Sequence, residues 1–259
     1  MKLDIVKADP SGNTTILVLT PVEKVRRAEV SNALMALFDG WAEQVGFVSG
    51  MELNRLDMMG GEFCGNATLS LAAYRALEGF GTESVISVSG ADMPVQCAVK
   101  ETGKDVWRGR VQMPLPESVC RAEYPEGSFW TVSFKGMTHV IVPENEAPAE
   151  PEAVLRRWAS ESGAEAVGML FISESGVTMR PLVYVRDTDS AVWEHGCASG
   201  TAAVGAYLAV LAGKSVSADI SQPGGAIGVD AGMENGELRS LTVGGAVRLE
   251  ERARVRVYL

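Results

Sequence analysis

Two cysteines stand at matching places in two similar stretches, "GGEFCGNATLSLAAYRALEG" from Gly60 and "WEHGCASGTAAVGAYLAVLAG" from Trp193. With Cys64 laid over Cys197, Thr68 falls on Thr201, Ala73 on Ala206, Tyr74 on Tyr207 and Ala76 on Ala209. Each stretch runs from small and polar residues into an apolar segment of helical character. A helix start carries unpaired N–H groups and a positive partial charge. A thiol there is expected to have a lowered pKa, its thiolate being held by those groups. Gly65 after Cys64, and Ser199-Gly200 after Cys197, keep bulk away, so the same N–H groups would reach a bound carboxylate.

Two such helix starts facing one another would put a thiolate on one side of a small molecule and a thiol on the other. That suits inversion of a stereocentre: one sulfur takes an α-proton, the other returns a proton to the opposite face. The helix ends would stabilise the negative charge that develops between the two steps. A duplicated structural motif would also produce such a pair, and a cysteine beside glycine is commonly a small buried residue. The residues alone leave both readings open.

The elements that must position these cysteines are mostly strands. "KLDIVKAD" and "TTILVLT" flank a turn at Pro10–Asn13. "VEKVRRAEVSNALMALFDG" carries Val25, Ala28, Leu34, Leu37 and Phe38 at helical spacing and stops at Gly40. "VGFVSG" and "MELNRLDM" read as further strands, then the first cysteine helix to about Gly79. "SVISVSG", "MPVQCAVK" and "VWRGRVQMP" follow. A domain crossing is expected near Pro114–Pro116, dividing the chain into 1–115 and 116–259, with a last strand, 250–259, that would return to the first domain. Beyond the crossing the order repeats: strands, the helix "EPEAVLRRWASESG", strands, the second cysteine helix to about Gly213, strands. The pattern predicts an α+β fold of two pseudo-symmetric domains, each a curled sheet around its own apolar helix.

Composition narrows the function classes. The chain has 259 residues, 46% hydrophobic and 22% charged, with a formal net charge of −10; these are the values of a globular protein with a core. An acidic chain without a basic stripe is a poor partner for nucleic acid. No signal-like start and no apolar run of about 18 residues are found, so the expectation is a cytoplasmic protein with no membrane association. Four dispersed cysteines without a CxxC pair argue against a disulfide framework or zinc knuckle. The two histidines, His139 and His195, are too few and isolated for a His-based metal site. Cys97 and Cys120 read as small buried residues in strands.

The residues already named resemble the diaminopimelate epimerase superfamily, and within it the histidine racemases of staphylopine-type metallophore synthesis. The resemblance covers nearly the whole chain: "PSGNTTILV" from Pro10, "EQVGF" from Glu43, "EFCGNAT" from Glu62, "VQCA" from Val95, "VQMP" from Val111, "VGML" from Val167, "PLVYV" from Pro181, "WEHGCASGTA" from Trp193 and "QPGG" from Gln222. The two cysteine motifs are specific in combination and weak singly. The resemblance implies barrel-like domains around central helices, whose starts meet at an interdomain cleft. It also implies that Cys64 and Cys197 are the catalytic acid/base pair and that no cofactor is needed. Asn13, Gln44 and Asn66 match substrate-lining positions of the superfamily. Glu43 is assigned to the substrate side chain, where a carboxylate would suit an imidazole. His195 and Glu194 would shape the pocket or tune the thiol through charge, and Gln222–Gly225 reads as a tight turn first and, by the resemblance, as a pocket-lining loop.

Departures from the epimerases bear on the substrate. Their Glu-Arg pair ahead of the second cysteine is absent, with Thr188 and Asp189 nearest its place; Met137–His139 replaces an Asn-Pro-His turn, and Asp57 stands where an Asn is expected. Diaminopimelate is therefore a doubtful substrate. The expectation is a cofactor-independent amino-acid racemase, histidine first, without a metal, with a homodimer as the assembly in view. The alternatives are another amino acid of the same chemistry, or a binding protein that kept the fold and lost the reaction.

Overall fold

The computed structural model of the protein describes residues 1–186 and 189–259. The chain divides into two compact units, Met1–Gln112 with Gly244–Leu259, and Met113–Val243.

The first unit contains β1 (Lys2–Pro10), β2 (Thr15–Val18), α1 (Arg27–Leu37), β3 (Gln44–Ser49), β4 (Arg55–Met58), α2 (Gly65–Leu77), β5 (Glu83–Val88), β6 (Val95–Gly103) and β7 (Val106–Gln112). The second contains β8 (Ser118–Tyr124), β9 (Gly127–Phe134), β10 (Met137–Pro143), α3 (Pro151–Ser162), β11 (Ala166–Ile172), β12 (Met179–Val185), β13 (Ser190–Trp193), α4 (Ala198–Ala212), β14 (Val216–Gln222) and β15 (Gly225–Glu234). The long β16 (Glu237–Leu249) begins in the second unit and ends in the first, and β17 (Ala253–Arg256) finishes the chain. The protein is α+β, with mixed sheets and few helices.

In the first unit the strand order β16-β7-β6-β5-β4-β3-β2-β1 closes on itself, because β1 pairs antiparallel with β16 as well as with β17. Ala8 lies opposite Leu249 in that closing ladder. Closure removes free sheet edges and encloses a volume that one helix fills. α2 fills it, packing on β1, β2, β5, β6 and β7. Every residue from Gly65 to Arg75 is buried, which is why this segment is apolar nearly all round rather than striped. The parallel pairs β2–β3 and β4–β5 are each crossed by a helix, α1 and α2 respectively. Leu3, Ile5, Ile16, Val18, Val45 and Phe47 form a second cluster under α1.

α1 departs from the expected face. Val25 lies in a 3-10 turn ahead of the helix and is exposed, as is Leu37, while Val30 and Leu34 point inward. The 3-10 turn winds more tightly than the α-helix behind it, so the spacing counted from Val25 loses phase with the buried stripe. Met51–Leu53 likewise forms a 3-10 turn, and the strand expected from Met51 starts only at Arg55.

The second unit holds the six-stranded sheet β13-β12-β11-β10-β9-β8 and the strands β14, β15 and the first part of β16. A parallel bridge between Thr178 and Ser221 ties the two sets. α4 lies against β14, β15, β8, β9 and β10, the same relation of helix to curled sheet. α3 crosses the parallel pair β10–β11 and buries Val154, Leu155, Trp158 and Ala159 on Phe129, Val140 and Met169. Pro151 opens the first turn of α3, and Gly163 caps the helix end in the left-handed conformation. β8 is an edge strand, so Cys120 is exposed rather than buried; Cys97, on the inward side of β6, is buried.

Candidate active site

Each cysteine is the N-cap of its unit's central helix. Cys64 has extended backbone angles and its sulfur accepts the Ala67 N–H at 3.4 Å. Cys197 has nearly the same angles, and its sulfur accepts the Gly200 N–H at 3.2 Å. In both, the third N–H of the helix binds sulfur as it would bind the oxygen of an ordinary cap. In both, a threonine one turn on donates its hydroxyl to the cysteine carbonyl, Thr68 to Cys64 and Thr201 to Cys197, each at 2.7 Å. The repeated motif is therefore a repeated geometry, not only a repeated spelling.

Around Cys64 the first unit assembles four residues singled out in the sequence. Asn13 is their hub. Its Oδ1 accepts Gln44 Nε2 at 2.6 Å and Asn66 Nδ2 at 3.0 Å, and its Nδ2 donates to Glu43 Oε2 at 2.6 Å. Gln44 Nε2 also reaches Thr15 Oγ1 at 2.8 Å, and that hydroxyl donates to the Asn13 carbonyl. With its oxygen serving two amide donors, the Asn13 side chain has one orientation, and its amino group faces the Glu43 carboxylate. The turn before it builds this hub: Asp9 Oδ1 accepts the Gly12 N–H at 2.7 Å, and Ser11 and Gly12 take positive φ. Parallel pairing of β2 and β3 sets Thr15 opposite Gln44. Asn66 reaches the hub from the first turn of α2, beside Gly65.

The approach to Cys64 is fixed from below by Ser89 and Gly90. Ser89 Oγ donates to the Glu62 carbonyl and accepts the Met58 N–H, both at 2.8 Å. A Cβ on Gly90 would stand 2.2 Å from the Phe63 nitrogen, and its φ is +73°. Glycine is needed there on both counts.

In the second unit the surroundings are drier. Cys197 is buried, and burial first, then the neighbouring Glu194 carboxylate through charge and a hydrogen bond, push its thiol well above its ordinary pKa. Ser199 and the Gly200 N–H act in the opposite direction and are outweighed. This corrects the expectation from the helix start: the partial charge of the helix is present, but desolvation of a thiolate and a carboxylate beside it dominate. Cys197 is held as a thiol. Ser199 Oγ lies 3.4 Å from its sulfur. Gly200 serves the packing rather than an open approach, since a Cβ there would come within 2.9 Å of Leu170 and 3.1 Å of the Cys197 sulfur.

One contributor was not legible as such. Gln222, taken first as part of a turn, accepts the Cys197 N–H on Oε1 at 2.7 Å and donates from Nε2 to Thr201 at 2.8 Å. The same turn grips the segment again through Gly224 N–H on the His195 carbonyl at 2.7 Å. The family resemblance marks "QPGG" as a pocket-lining loop, but not which of its side chains reaches the cysteine.

The remaining candidates serve structure. Asp57 is clamped by Arg27 at 3.1 Å and Arg55 at 2.8 Å; burial opposes its ionisation, but the two guanidinium groups prevail and hold its carboxyl low. His139 sits in β10, wholly buried, edge-on to Phe134. Asp189 accepts from Tyr184 and pairs with Arg156, and Thr188 lies outside the described residues. Among the described residues no group of three His, Cys, Asp or Glu side chains is arranged to hold a metal ion, and no helix is long and apolar enough to cross a membrane.

Known proteins resemble the chain along most of its length. Residues 2–255 match the family model for the histidine racemase CntK N-terminal domain. A histidine racemase of Fusobacterium nucleatum subsp. nucleatum is 32% identical over 216 residues, covering 80% of this chain and 81% of that one. One from Staphylococcus aureus is 30% identical over 243 residues and 87% of each chain. Among solved structures, a phenazine biosynthesis protein of the PhzF family from Bacillus anthracis superposes with a TM-score of 0.71 at 12% identity, over 99% of this chain and all of that one. A hydroxyproline epimerase from Agrobacterium vitis does so with 0.62 at 10% identity, over 98% and 92%. The structures carry the fold; the sequence matches carry the family, and the chain belongs to the histidine racemase family.

Proposed function

We propose that the protein interconverts L- and D-histidine by a two-base reaction of Cys64 and Cys197, without a cofactor. The observation that carries this reading is the duplicated cysteine cap, with sulfur bound by a helix N–H in both units. Membership of the histidine racemase family and the sequence of both motifs support the same pair.

In one direction of the reaction Cys64 is the thiolate base and Cys197 the thiol acid. Cys64 takes the α-proton from one face of the substrate, and the bonding pair stays on the α-carbon. Cys197 then gives its S–H proton to the opposite face, leaving a Cys197 thiolate and a Cys64 thiol. The reverse reaction starts from that second form. First-turn N–H groups of α2 and α4, among them those of Gly65, Asn66 and Ser199, bind the substrate carboxylate and the charge that spreads onto it. The Gly200 N–H is engaged with the Cys197 sulfur and acts through it.

Substrate choice falls to Glu43, whose carboxylate, oriented by Asn13, accepts the imidazole N–H. The substrate stays inside a cytoplasmic amino-acid pool, and the D-histidine formed serves as a building block of a metal-chelating product. Another amino acid remains the competing assignment where its side chain also donates a hydrogen bond.

Incubation of the reduced protein with L-histidine in deuterium oxide, followed by chiral chromatography and mass analysis, tests the reading. D-histidine with one α-deuterium is the expected product. Cys64→Ala and Cys197→Ala variants that racemise as fast as the parent would overturn the mechanism, and absence of D-isomer would remove histidine.

A further inference from the structure

The Cys197 backbone is held on both sides by one side-chain ring. Its N–H donates to Gln222 Oε1 at 2.7 Å, Gln222 Nε2 donates to Thr201 Oγ1 at 2.8 Å, and Thr201 Oγ1 donates to the Cys197 carbonyl at 2.7 Å. The direction of each bond follows from the others. Thr201 has one hydroxyl proton and uses it on the carbonyl, so it receives from Gln222. The Gln222 amino group is thereby turned to Thr201 and its oxygen to Cys197. Cys197 and Thr201 are buried and Gln222 is half-buried, so the Cys197 and Thr201 groups in this ring do not exchange their partners for water at little cost.

The geometry points to Gln222 as a positioning residue for the second catalytic cysteine. Working with Thr201, it fixes the peptide groups on both sides of the Cys197 α-carbon and so the direction in which the thiol is aimed. This inference rests on the proposed racemase reaction for its consequence, though not for its geometry. A cap residue sits between two backbone conformations, extended before it and helical after it, and the cap dihedrals decide where its side chain points. The Gly200 N–H bond to sulfur, at 3.2 Å, and the Ser199 contact, at 3.4 Å, depend on those dihedrals. Gln222 comes from the end of β14, whose Ser221 is tied to Val177 and Thr178. The clamp thus refers the sulfur to the sheet rather than to its own loop. Small displacements of a proton-transfer group are costly, about 100-fold for 1 Å.

The test compares Gln222→Leu, Gln222→Glu, Thr201→Val and Thr201→Ser. Gln222→Glu keeps the acceptor for Cys197 N–H but cannot donate to Thr201; it serves if the leucine variant does not fold. Histidine racemisation is followed for kcat and KM, and alkylation of Cys197 by iodoacetamide is followed by peptide mass analysis in a Cys64→Ala background. Expected are a fall in kcat of about tenfold or more with KM within about twofold for Gln222→Leu, Gln222→Glu and Thr201→Val. Their Cys197 alkylation rates should change by about threefold or more, Thr201→Ser should behave as the parent, and the double variant Gln222→Leu/Thr201→Val should be no worse than its worse single. The clamp is refuted if Thr201→Val and Gln222→Leu keep kcat and alkylation at parental values. It is equally refuted if Thr201→Ser is as impaired as Thr201→Val, or if the two losses multiply. A parent that does not racemise histidine would sink the reaction alone, because alkylation reads the clamp without substrate.

Discussion

Replacing His139 by leucine should make the protein more stable, and increasingly so as the solution is acidified. The imidazole has no exposed surface and neither ring nitrogen has a hydrogen-bond partner. Burial pulls its pKa from 6.5 down to about 3. The unfolded chain therefore takes up a proton near pH 6.5 that the folded chain refuses until about pH 3. A folded pKa below the unfolded one, for a group neutral when deprotonated, costs stability as pH falls through that window, and the cost is complete below it. At 1.36 kcal/mol per unit, the whole gap of about 3.5 units is worth about 5 kcal/mol. Between pH 7 and pH 5 the linkage amounts to about 2 kcal/mol. Leucine fills a similar volume, has no polar atom to strand and binds no proton. At neutral pH it should add about 1–3 kcal/mol by sparing unpaired polar groups. Urea unfolding of parent and His139→Leu at a series of pH values gives the two curves. Their difference isolates His139, because the carboxylates and His195 are common to both. Parallel curves between pH 7 and pH 5 would refute the linkage. A variant less stable than the parent at pH 7 would show that the imidazole is satisfied or packed better than its geometry indicates.

Other outcomes follow from the site. Cys64→Ala and Cys197→Ala should each lose at least the 10²–10⁴-fold that a positioned acid or base supplies, with folding intact by circular dichroism. Glu194→Gln removes the charge that helps raise the Cys197 thiol while keeping a neutral acceptor oxygen; in a Cys64→Ala background its Cys197 should be alkylated faster at pH 8, and an unchanged rate would show that the charge does not set the thiol. Glu43→Gln should raise KM for histidine about tenfold or more, a loss in the range of a charged hydrogen bond, whereas an unchanged KM would place Glu43 outside the substrate site. Gly90→Ala forces a Cβ against the Phe63 backbone at a positive φ; it should cost about 1–3 kcal/mol, read by thermal unfolding, and parental stability would show that the Ser89–Gly90 support yields freely.

Much of this protein was readable from residue order because the decisive signals are local. A cysteine followed by small residues and an apolar helix is a cap wherever it occurs, since the cap bonds run only three and four residues along the chain, as from Ala67 and Thr68 to Cys64. The strand runs of β2, β3 and β11 are nearly continuous apolar segments, buried on both faces. The 3-10 turn before α1 broke a spacing argument, because it changes the rise and phase over three residues without changing their apolar character. The exposure of Cys120 depended on which strand lies at a sheet edge, and no local pattern states that.

The tertiary structure alone decided the quantities that depend on distant partners. Asn13, Glu43, Gln44 and Asn66 were singled out one by one, but their union around one amide oxygen required the turn after β1, the β2–β3 pairing and the start of α2 to converge. Gln222 looked like a turn residue because its partner lies 25 residues away. The sequence placed Cys197 at a helix start and implied a lowered pKa; the fold buried it beside Glu194 and raised it. Cap chemistry travels with the local chain, whereas dielectric surroundings and charge neighbours exist only once the chain has folded.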